Sequence, residues 1–151
     1  MQFLSDKEVI LCNGNTFQIL NLEDLNNTRK IFHGTETKAV GCFAVHGSNK
    51  YIAVGECGEF PNIYVYEFPS LKLYRILRRG TETAYTCMNF NKEGTLLASV
   101  GSEPDYNLVI WNWLSETIIL KAKAFSQEVF CVSFSNNFEG KLCTSGIGHV
   151  K

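Results

Sequence analysis

Apolar and polar positions along this chain alternate in short runs and do not recur at helical spacing. The clearest stretch lies between residues 81 and 124. There, residues 85–90, 95–100, 107–113 and 117–122 are rich in Val, Ile, Phe, Tyr and Thr and are bounded by Gly, Asn and Pro. Runs of that length and composition, several with period two, predict four consecutive short strands. No window longer than about three turns carries a 3.6-residue apolar stripe, so the chain reads as all-β.

The same unit recurs. Ile31-Phe-His-Gly-Thr-Glu-Thr37 returns as Leu77-Arg-Arg-Gly-Thr-Glu-Thr83, and Ile63-Tyr-Val-Tyr-Glu-Phe68 as Leu108-Val-Ile-Trp-Asn-Trp113. Cys42-Phe-Ala-Val45, Cys87-Met-Asn-Phe90 and Cys131-Val-Ser-Phe134 align in turn. Each precedes a turn and then a small-residue strand that ends in glycine, at Gly55, Gly101 and Gly146. Four antiparallel strands per repeat of about 45 residues describe the blade of a β-propeller. The predicted architecture is an incomplete propeller of consecutive four-stranded antiparallel blades. Residues 1–34 form a partial blade, 35–80 and 81–124 two whole blades, and 125–151 half of another. A closed ring needs at least about four blades, so this arc has open sheet edges.

The six cysteines keep the same beat, 45 residues separating Cys12 from Cys57 and Cys42 from Cys87. With no C-x-x-C pair among them, repeat phasing favours small buried hydrophobes over a metal or redox site. They are expected to be reduced and free of metal. Fourteen Lys+Arg against fifteen Asp+Glu leave a formal net charge of -1, which creates no field for nucleic acid or anionic lipid. No apolar run approaches the ~20 residues of a membrane span. The N-terminal segment mixes charge with apolar residues and does not read as a signal peptide.

Catalytic chemistry finds no foothold. His33, His46 and His149 fall at different points of the repeat, and neither a nucleophile elbow nor a phosphate loop is present. Glu56, Glu59, Glu103 and Asp105 read as residues of solvated loops. No cofactor, metal or small-molecule substrate is expected. Propellers bind through loops on a rigid scaffold. The candidate protein-binding rim therefore comprises Thr35, Glu36, Thr81, Glu82, Glu103, Asp105 and Tyr106. The basic segment Lys72-Leu-Tyr-Arg-Ile-Leu-Arg-Arg79 reads first as an outermost strand whose charge discourages edge aggregation. Its second reading, through Arg75, Arg78 and Arg79, is a docking strand for an acidic surface. Trp111 and Trp113 share one strand face and are expected to pack between blades.

Leu20-Asn21, Tyr66-Glu67 and Trp111-Asn112 resemble degenerate forms of the Trp-Asp dipeptide of WD repeats. His33-Gly34 lies near the family's His position, Arg79-Gly80 replaces it in the next blade, and Asp105 fits the family's turn Asp. Three longer strings are more specific. They are Phe68-Pro-Ser-Leu-Lys-Leu-Tyr-Arg-Ile-Leu-Arg-Arg-Gly-Thr-Glu-Thr-Ala-Tyr85, Thr95-Leu-Leu-Ala-Ser-Val-Gly-Ser-Glu-Pro-Asp-Tyr106 and Lys123-Ala-Phe-Ser-Gln-Glu-Val-Phe130. Over roughly residues 60 to 150 they resemble the N-terminal propeller of the cilia- and flagella-associated protein 44 family. That resemblance implies a non-catalytic scaffold of the cytoskeleton in the cilium or flagellum. Its partners would be axonemal tether-complex subunits, dynein and the microtubule surface, in a complex needed for flagellar beating and sperm-tail assembly. A WD-repeat adaptor of an unrelated assembly, such as a ubiquitin ligase, is the alternative, and a propeller hydrolase a distant third.

Overall fold

In the computed structural model, which describes residues 1–32 and 38–151, the chain is a succession of four antiparallel sheets. The first holds β1 (Gln2–Phe3), β2 (Glu8–Asn13), β3 (Thr16–Asn21) and β4 (Arg29–Phe32). β5 (Ala39–Val45), β6 (Tyr51–Cys57), β7 (Ile63–Glu67) and β8 (Leu73–Leu77) make the second. β9 (Tyr85–Phe90), β10 (Leu96–Gly101), β11 (Asn107–Asn112) and β12 (Thr117–Lys123) make the third. The fourth has three strands, β13 (Val129–Phe134), β14 (Leu142–Gly146) and β15 (His149–Val150). Strands pair in chain order within every sheet. Among the described residues there is no helix, and so none long and apolar enough to cross a membrane.

Each sheet buries its apolar face against the next one, so the core lies between blades. Leu4, Ile10, Phe17 and Ile19 of the first sheet pack on Ile52 and Val54 of the second, with Tyr66 at 6.0 Å from Phe17. Ile63, Val65 and Leu77 of the second sheet meet Tyr85, Trp111 and Trp113 of the third. Ala98, Val100 and Ile110 of the third sheet meet Val129 and Val132 of the fourth. The tryptophans pack between blades, as their shared face predicts.

A β-bulge recurs at one place in three blades. Register shifts between Val40 and Cys42, Val100 and Gly101, and Val129 and Cys131 leave Gly41, Thr86 and Phe130 unpaired on the inner strands. A bulge resets the alternation of side chains. The expectation of six buried cysteines is corrected here. Cys87 is buried and Cys42 half-buried, whereas Cys12, Cys57, Cys131 and Cys143 are exposed, all six as free thiols. Cys42, Cys87 and Cys131 each follow the bulged residue, and β13 covers Cys87 while, among the described residues, no inner strand packs over Cys131.

Burial pushes the Cys87 thiol from 9.0 up to about 11 and the Cys42 thiol well above its ordinary value. Only the thiolate reacts readily with alkylating agents, and at pH 8 a two-unit rise leaves about a hundredfold less of it. Iodoacetamide labelling followed by mass spectrometry is therefore expected to modify Cys57, Cys131 and Cys143 first. Cys42 and Cys87 should lag by on the order of tenfold or more. Equal labelling of Cys87 would contradict the packing of β13 on β9.

Candidate functional site

The loops at one end of the second and third sheets join into a continuous rim. Gly58 N donates to the Thr83 carbonyl at 2.7 Å and Phe60 N to the Glu82 carbonyl at 2.8 Å, beside an antiparallel bridge between Cys57 and Ala84. The loop between β6 and β7 is thus laced to the segment that leads into β9. A rim held by backbone hydrogen bonds is pre-organised.

In the third sheet a side-chain relay holds the rim. Asp105 accepts from Thr81 Oγ1 at 2.9 Å and from Asn107 Nδ2 at 2.6 Å. Thr83 Oγ1 lies 2.8 Å from Ser102 Oγ. Further down the same interface Trp111 Nε1 donates to Ser99 Oγ at 2.9 Å, with both residues fully buried. Thr81 therefore contacts the turn aspartate, while Gly80 packs flat against Tyr85 and Trp111.

In the second sheet an ion pair takes over. Glu56 is 2% exposed, lies 3.4 Å from Lys38 Nζ and accepts the Asn62 amide at 2.9 Å. This corrects the reading of Glu56 as a residue of a solvated loop. A carboxylate at the end of β6 is buried because a lysine and a backbone amide satisfy it. Lys38 also donates to the Phe60 carbonyl at 3.3 Å, so the pair ties down the loop between β6 and β7.

The candidate residues are distributed unevenly over this frame. Thr35 and Glu36 lie outside the described residues. Thr81 is buried with its hydroxyl committed to Asp105, and both carboxylate oxygens of Asp105 are engaged. Glu82 and Glu103 are exposed, and Tyr106 is half-buried with a φ of 46°. The structure brings Thr81, Glu82, Glu103, Asp105 and Tyr106 to one corner.

The three arginines part company. Half-buried Arg75 donates through Nε to the Leu114 carbonyl at 3.0 Å and lies 3.8 Å from Glu116, clasping the β11–β12 turn of the next blade. Arg78 and Arg79 are exposed on the rim beside Phe60 and Pro61. Sequence reasoning missed Lys38, Phe60, Pro61 and Asn62. The only available signal was the apolar Phe60-Pro61 step inside a glycine-rich turn. Among the described residues no three His, Cys, Asp or Glu side chains converge as metal ligands.

No family model matches the chain. Cilia- and flagella-associated protein 44 of Mus musculus is 45% identical to it over 151 residues, the whole of this chain. The protein of the same name from Chlamydomonas reinhardtii is 43% identical over 89% of the chain, and that from Trypanosoma brucei brucei 31% over 98%. The chain spans 8% of the length of each of these curated relatives.

Proposed function

From its homology along the whole chain to one segment of cilia- and flagella-associated protein 44, we propose that this arc of blades is a non-catalytic interaction scaffold of the motile cilium or flagellum. It serves within a tether complex that links inner-arm dynein to doublet microtubules and supports beating and sperm-tail assembly. The working units are the blades 35–80 and 81–124, flanked by 1–34 and 125–151. Their rim presents loops for protein partners.

The observation that carries this reading is the identity to cilia- and flagella-associated relatives, 45% over the whole of this chain and 43% over 89% of it. The rigid rim supports it, because loops fixed by Lys38–Glu56 and Thr81–Asp105 offer a surface that loses little entropy on binding. The chain with a fluorescent tag, produced in ciliated cells, is expected to decorate the axoneme and to stay there after detergent extraction. Diffuse staining, or co-purification with ubiquitin-ligase subunits, would overturn the axonemal reading and favour an adaptor of another assembly.

A further inference from the structure

We propose that the cleft between the Phe60-Pro61 turn and the Arg78-Arg79 corner docks an acidic peptide segment of a partner protein, one that carries carboxylates beside an apolar side chain. This deepens the scaffold reading and rests on it. The cleft has a volume of about 160 Å³ and is lined by Phe60, Pro61, Asn62, Arg78, Arg79 and Thr81. A cavity near 150 Å³ accommodates a benzene ring, so there is room for one large side chain.

The apolar wall is held open. Phe60 is 76% exposed with a φ of 49°, an unfavourable backbone for a bulky residue. Its amide is held by the Glu82 carbonyl and its own carbonyl by Lys38. The surrounding hydrogen bonds thus keep an aromatic ring in water, where it is available to a partner.

The cationic wall is uncommitted. Arg75 is spent on the next blade and Lys38 on Glu56. Among the described residues Arg78 donates to the carbonyl of Ile76, two residues back in β8, at 3.5 Å. Lys121 Nζ grips the Arg79 carbonyl at 3.1 Å, which fixes the corner through the backbone and does not engage the guanidinium. Among the described residues no carboxylate lies within ion-pair distance of either arginine, Glu59 and Glu82 included. Two exposed guanidinium forks beside an apolar wall match carboxylates flanking an apolar residue. The net charge of -1 gives no broader attraction for nucleic acid or membrane.

The test is a fluorescence-anisotropy titration of the full 151-residue chain with a labelled Glu-Glu-Leu-Glu-Glu peptide. Saturable binding is expected, weakened about tenfold or more by Gln in place of Glu, by Ser in place of Leu, and by R78Q/R79Q. Phe60→Ser should weaken it several-fold, and R78K/R79K should retain part of it because charge remains while the fork is lost. All three variants change exposed side chains, so their thermal unfolding should match the parent. Absence of saturable binding, equal binding by R78Q/R79Q, or indifference to Gln would overturn the assignment. So would equal, arginine-dependent binding of a labelled oligothymidylate, which would mark a generic polyanion site. If peptide binding fails while the parent chain still decorates the axoneme, only the partner chemistry falls. Loss of axonemal decoration by the parent chain removes the scaffold reading itself.

Discussion

Trp111→Ala is expected to destabilise the chain by about 3–5 kcal/mol, the range for large-to-small changes at fully buried aromatics. Trp111 is 0% exposed and fills the interface between the second and third sheets against Ile63, Val65, Leu77 and Tyr85. Its Nε1 satisfies Ser99 Oγ, itself buried, so truncation also strands a hydroxyl in the core. Ser99→Ala removes the hydrogen bond and leaves the packing, and should cost nearer 1 kcal/mol. Urea unfolding of both variants separates the two contributions. Because the core lies between blades, the Trp111 loss should uncouple the second and third sheets and broaden the transition. A cost under about 1 kcal/mol for Trp111→Ala would mean that the pairing of Leu97 with Trp111 is misassigned.

The blade was legible because its signals are local and repeated. The predicted strands 85–90, 95–100, 107–113 and 117–122 lie within a residue of β9 to β12 at each end. Even the bulge in the outer strand pair recurs, between Val65 and Tyr66 and between Ile110 and Trp111. What was not legible depends on contacts distant in sequence. Cys131 and Cys87 follow the same bulge, yet only Cys87 is buried, because β13 packs over it, which no spacing argument shows. Glu56 is buried by a lysine 18 residues earlier, and Arg75 is diverted by a carbonyl 39 residues later. The Phe60 ring stands in water because of a hydrogen bond to Glu82, again across two blades. The basic run therefore divided in a way that composition does not reveal.

Gly94→Ala should be costly for a reason that has little to do with glycine flexibility alone. Gly94 has a φ of +72°, and Gly140, one repeat later, has +73°. Left-handed backbone costs a residue with a Cβ roughly 1–2 kcal/mol at either position. The surroundings differ. A Cβ on Gly140 meets nothing within 4 Å, whereas one on Gly94 collides with the imidazole of His46. That ring is wedged edge-on among Tyr51, Phe90 and Trp113 at centroid distances of 5.7, 5.1 and 5.7 Å. The Ser48 amide donates to Nδ1 at 3.1 Å, so the proton sits on Nε2 and is donated to the Gly94 carbonyl at 3.0 Å. Trp113 Nε1 donates to the same carbonyl at 2.8 Å. A methyl group at residue 94 must displace this half-buried ring from among its aromatic neighbours, and it weakens the His46 and Trp113 hydrogen bonds to the residue 94 carbonyl, the second of them buried. The expected loss is about 3 kcal/mol or more for Gly94→Ala, against about 1 kcal/mol for Gly140→Ala. Both follow from chemical unfolding of the paired variants. Equal costs at the two glycines would show that His46 does not lock the second blade to the third.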